Sequence, residues 1–126
     1  MVDGDFDEFR AESDDSVIRA LDALSDAVAA SIGDEKLLLE RLSSLRRARQ
    51  SGTSVTEAVG HEPNPGALQV LGRILLRMTE ASGTARRALA IAMRAEGTTI
   101  PAIAQAFGVT HQRVSNVLSR RDTAPG

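Results

Sequence analysis

Five polar side chains crowd one short stretch near the C-terminal end: His111, Gln112, Arg113, Ser115 and Asn116. Between them they offer an imidazole, two carboxamides, a guanidinium and a hydroxyl, all rich in hydrogen-bond donors and acceptors. Gln and Asn can pair with adenine through two hydrogen bonds, Arg with guanine, and Ser with either. The chemistry on offer is recognition of base edges. Around them stand Thr99, Thr110, Arg120 and Arg121, with Arg86 and Arg87 upstream. Hydroxyls and guanidiniums so placed suit phosphates, which fix register and supply much of the affinity.

Other chemistries find no footing. The chain has no cysteine, so thiolate metal sites and disulfides are excluded. His61 and His111 are its two histidines, fifty residues apart. The acid pairs Asp14–Asp15 and Asp34–Glu35 fall at expected helix starts, where capping accounts for them. No Gly-rich phosphate loop is present. Without Trp or Tyr, stacking on single-stranded nucleic acid has no platform. We therefore expect a non-enzyme with no catalytic residue, metal or cofactor.

The elements that must position the polar group can be read from TIPAIAQAFGVTHQRVSNVL, residues 99–118. One short helix is expected from about Ile100 to Phe107 and a second from about Thr110 to Ser119. Ile103, Phe107, Val109, Val114 and Val117 form the apolar side, with small Ala104 where two steeply crossing helices touch. Gly108 supplies the positive φ of the turn, and Thr110 is placed as N-cap. Pro101 lies in the first turn, where proline is tolerated. Val114, Val117 and Leu118 then face inward, and the polar set faces out.

This stretch resembles the helix-turn-helix of bacterial regulators, of the promoter-reading region of sigma factors, and of site-specific recombinases. The agreement lies in Ile103, Ala104, Phe107, Gly108, Val109, Val114 and Val117. With a supporting helix before it, the resemblance extends over about residues 84–120. It implies a second helix that enters the DNA major groove.

The rest of the chain reads as helices too. With 42% hydrophobic but only 2% aromatic residues, the core must be aliphatic, which favours packed helices. Val17, Leu21, Leu24, Val28 and Ile32 make a helical stripe over 14–32, stopped by Gly33. Asp34 then caps a helix over 35–50 carrying Leu38, Leu42 and Leu45 on one face, with Leu39 beside them. The two form an expected antiparallel hairpin. Its leucine face (Val17, Leu21, Leu24, Val28, Leu38, Leu42 and Leu45) is a candidate dimer surface or half of a monomer's core. Residues 51–66 are a break with one short turn over 54–59 and a HEPNPG loop. RQSGTSVTEAV at 49–59 echoes RAEGTTIPAIA at 94–104, either as a stock helix-glycine-helix phrase or as an old duplication. Helix 67–82, with Leu68, Leu71, Leu75 and Met78 on one stripe and Ile74 alongside, is expected to be the central core helix. Gly83 ends it, and Thr84 caps the next.

The domain reading is an acidic, unstructured leader over 1–13, a helical domain over 14–82, a wingless tri-helical unit over 83–121, and a flexible tail over 122–126. Phe6 and Phe9 in the leader either dock it on a basic surface or cover the core. Residues 1–35 hold eleven acids and two arginines, net −9; residues 36–126 hold thirteen bases and six acids, net +7. The total of −2 argues against a nucleic-acid binder, but the division argues for a basic working part. No apolar run approaches a membrane span, so a cytoplasmic, nucleoid-associated protein is expected. The expected whole is an all-α, sequence-specific regulator of double-stranded DNA, acting as a homodimer. The alternatives are a non-catalytic adaptor for RNA polymerase or another regulator, and a nucleoid protein that coats DNA.

Overall fold

A computed structural model describes the backbone of residues 3–120, with side chains from Ser16 onward. All regular structure among the described residues is helical: α1 Asp3–Gln50, α2 Val55–Gly60, α3 Ala67–Ala95, α4 Ile100–Phe107 and α5 His111–Ser119. The all-α expectation holds, and the two short C-terminal helices lie where their caps put them. No described helix is long and apolar enough to cross a membrane. The side chains of Phe6 and Phe9, together with Arg121 and the tail 122–126, lie outside the described residues.

Two expected breaks do not occur. α1 passes through Gly33, so the antiparallel hairpin of 14–32 with 35–50 does not form. α3 passes through Gly83, so Thr84 caps nothing and the expected division at 82/83 falls inside a helix. Neither glycine has positive φ, unlike Gly52, Gly97 and Gly108. An interior glycine costs a helix only about 0.5–1 kcal/mol relative to alanine, which continuous packing on both sides outweighs. α1 also takes in residues 3–13, where an unstructured leader was expected.

The chain divides into two compact units, one of them Leu24–Glu80. Within it, α1 and α3 run antiparallel. Arg41 Nε donates to the Pro65 carbonyl at 2.9 Å, and Arg77 Nη1 donates to Ser31 Oγ at 3.3 Å. Between these, Asp34 receives Nη2 of both Arg73 and Arg77 at 2.8 Å. Asp34 is thus no N-cap but the centre of an ion-paired cluster in mid-helix. Hydrogen bonds from Arg73 and then Arg77 hold its carboxyl below the ordinary aspartate range.

The seam sets small residues of α1 against Ala67, Val70 and Ile74 of α3. Ala27 and Ser31 of α1 are buried, as are Ala67, Val70 and Ile74 of α3. Small side chains on α1 leave room for Val70 and Ile74, and the leucines of α3 stand outside. Leu68, Leu71 and Leu75, expected as the central core stripe, are 75%, 37% and 57% exposed. The stripe drawn from large residues alone is rotated off the true seam. The same holds for the candidate dimer face. Val17, Leu24, Leu38 and Leu45 are half-buried, while Leu21, Val28 and Leu42 are exposed.

Candidate nucleic-acid interface

The second unit contains the C-terminal end of α3 with α4 and α5. α3 ends in a Schellman turn: Thr98 N–H donates to the Met93 carbonyl at 2.9 Å and Gly97 N–H to Arg94 at 3.0 Å. Gly97 takes φ 94° there. Arg94 Nη1 adds a bond to the Thr98 carbonyl at 2.9 Å, bracing the turn from the side. Thr99 then caps α4, its hydroxyl accepting from Ala102 N–H at 3.2 Å.

The next turn repeats this pattern. Gly108 sits at φ 67°, with Val109 N–H on the Ala104 carbonyl at 3.0 Å and Gly108 N–H on Gln105 at 3.2 Å. Thr110 caps α5 by accepting from Arg113 N–H at 3.1 Å. Positive φ costs an L-residue roughly 1–2 kcal/mol, which is why glycine stands at both turns.

The two turns fold α4 and α5 onto Ala90 of α3. Ala90, Ile103, Ala104 and Val114 are the buried centre, ringed by Met93, Ile100, Phe107, Val109, Val117 and Leu118. Ile103, Ala104, Phe107, Val109, Val114 and Val117 all belong to this cluster, with Ile103 at 0% exposure and Ala104 and Val114 at 2%, while Gly108 lies outside it at the exposed turn. The sequence reading had passed over Ala90. Its signal was a small residue on the supporting helix to match small Ala104, which together allow close crossing.

With Val114 inward, the other side of α5 faces water. His111, Gln112, Arg113, Ser115 and Asn116 are all exposed. Gln112 Nε2 lies 3.5 Å from Asn116 Oδ1, so the two amides stand side by side one turn apart. The flanking groups are less uniform. Thr99, Thr110 and Arg120 are exposed, but Arg86 and Arg87 are half-buried. Arg87 Nη1 donates to the Arg120 carbonyl, tying α3 to the C-terminal end of α5. This brace was not foreseen, since nothing in the spacing of Arg87 and Arg120 marks it. Among the described residues no group of three His, Asp or Glu gathers that could hold a metal ion.

A family model described as a homeodomain-like domain matches residues 83–126. The geometry and the match agree on a helix-turn-helix of the DNA-binding kind at this end of the chain. The match does not separate the sigma-factor type from the recombinase type. No curated protein and no solved structure matches the chain.

Proposed function

We propose that this chain is a small, non-catalytic transcriptional regulator that binds specific double-stranded DNA as a homodimer. The observation that carries the reading is the division of α5: Val114 locked into the core, and His111, Gln112, Arg113, Ser115 and Asn116 all facing solvent. Such a helix can enter the major groove with its polar side toward base edges. Arg113 would take guanine; Gln112 and Asn116 would take adenine. Thr99, Thr110 and Arg120 would meet phosphates, with Arg121 following. Arg86 contributes charge from α3, while Arg87 acts mainly as the brace of α5. A reader of this kind works at the nucleoid, where RNA polymerase or a second regulator is within reach.

One such unit buries only roughly 600–1,000 Å² on DNA, so a second copy is needed for tight binding. A two-fold dimer would read half-sites roughly 34 Å apart, or a multiple of that. The test is a binding series on selected and random duplexes across salt. Arg113→Ala and Asn116→Ala should each weaken the selected duplex by about 1–3 kcal/mol while leaving random duplex nearly unchanged. Equal loss on both duplexes would remove base reading, and no loss on either would remove the DNA assignment.

A further inference from the structure

The turn that delivers α4 occurs a second time, forty-five residues earlier in the sequence. Gly52 has φ 92° where Gly97 has 94°. Thr53 N–H reaches the Ala48 carbonyl at 3.0 Å as Thr98 reaches Met93 at 2.9 Å. Arg49 Nη1 lies on the Thr53 carbonyl at 3.4 Å, matching Arg94 on Thr98. Ser54 accepts from Glu57 N–H at 3.1 Å, matching Thr99 and Ala102. A third helix follows in each case, and its fourth residue is a fully buried valine, Val70 in α3 and Val114 in α5. The helix between is reduced in the earlier copy, since α2 buries nothing.

Counting from those valines, the outward positions Gln112, Ser115 and Ser119 of α5 correspond to Leu68, Leu71 and Leu75 of α3. Leucine has no donor for a phosphate or a base edge. The earlier copy therefore repeats the turn and the buried valine of the reading unit but shows leucine at three outward positions, with Gln69 and Gly72 where α5 has Arg113 and Asn116.

What this surface adjoins points to its use. On α1 the exposed Ile32, Leu39 and Leu42 fall seven and three apart, a separate apolar stripe beside the seam. At about 100° per residue, this stripe and the α3 leucines each lie about a quarter-turn from the seam in the same rotational sense. In an antiparallel pair that places both on one side. Ile32, Leu39 and Leu42 thus face the same way as Leu68, Leu71 and Leu75, an exposed aliphatic grouping rather than singly scattered residues.

We infer that this face binds a second copy of the chain, giving the proposed dimer its surface; the inference rests on the dimer part of the reading above. The charges fit a self-contact. Exposed Glu35 lies four residues before Leu39, and exposed Arg46 four after Leu42. An antiparallel α1 from the second copy lays Leu39 on Leu42, and Glu35 on Arg46, twice over. Such a two-fold contact is isologous: one patch meets itself.

Sedimentation equilibrium of the full chain tests this. The wild type should be a dimer at micromolar concentration, and Leu39→Glu/Leu68→Glu should be a monomer with unchanged far-UV circular dichroism. Glu35→Arg alone should weaken the dimer roughly tenfold or more by placing like charges opposite. Glu35→Arg/Arg46→Glu should restore it. This charge exchange keeps the inference falsifiable if the leucine variant fails to fold. A monomeric wild type that still binds single half-sites overturns the inference and leaves DNA reading intact. A dimer that binds no duplex overturns DNA reading alone. A double charge variant as weak as Glu35→Arg overturns the antiparallel self-contact.

Discussion

α5 and the first turns of α3 stand at corresponding places. Each follows a left-handed glycine, a hydroxyl cap and a short helix, and each buries a valine at its fourth residue. Yet α5 shows water Gln112, Ser115 and Ser119 where α3 shows Leu68, Leu71 and Leu75, and it carries Arg113 and Asn116 where α3 has Gln69 and Gly72. The backbone plan is thus set by punctuation and by one inward residue, and the outward residues are left to chemistry. The shared plan does not carry a shared role. The two copies also differ in how much core secures the middle helix: α4 buries Ile103 and Ala104, whereas α2 buries nothing.

That difference can be broken at its largest point first. Ile103→Ala should cost about 2–5 kcal/mol, measured by denaturant unfolding, and should abolish duplex binding with it. Val59, 51% exposed on α2, should change stability by less than about 0.5 kcal/mol when replaced by alanine. Comparable losses at both would mean that the two middle helices are equally anchored. The glycines sharpen the comparison at smaller scale. Gly108→Ala should cost roughly 1–2 kcal/mol, because the turn holds it left-handed. Gly33→Ala should instead add about 0.5–1 kcal/mol, since it is helical with open space at the added methyl. A loss at Gly33 would reinstate a break in α1.

The smallest effect concerns acid. The Asp34 carboxyl titrates lower in the folded chain than in the unfolded one. The folded state therefore holds fewer protons. Its contribution to stability is complete above the unfolded aspartate value, about 3.9, and is lost as pH falls through the lower folded value. Asp34→Asn should lower the melting temperature at pH 7 and flatten the decline below pH 4. An unchanged acid limb would show that Arg73 and Arg77 add nothing at that site.

The C-terminal unit was legible almost to the residue because its signals are local. A glycine, a Thr two places on and a short apolar period fix α4, the turn and α5 without reference to the rest of the chain. The long helices were misread for a related reason. The three left-handed glycines among the described residues stand two residues before their cap: Gly52 before Ser54, Gly97 before Thr99, Gly108 before Thr110. Gly33 and Gly83 stand directly before Asp34 and Thr84, with no residue between for the extended link. Spacing, more than the presence of glycine, separates a stop from a continuation here. The seam between α1 and α3 was hidden differently. Besides Val70 and Ile74 it is lined by alanine, serine and the Asp34–Arg73–Arg77 cluster, which a count of large apolar residues does not weigh. The exposed leucines drew the stripe to the wrong side.

One consequence follows from how α5 is held. Its start is fixed by Thr110, its end by Arg87 on the Arg120 carbonyl, and its inner side by Val114. None of these ties involves the side chains at 111, 112, 115 or 116. Those positions form a replaceable cassette. A library randomised there should stay folded in most members, so the chemistry of this face can be exchanged on a scaffold that need not be redesigned.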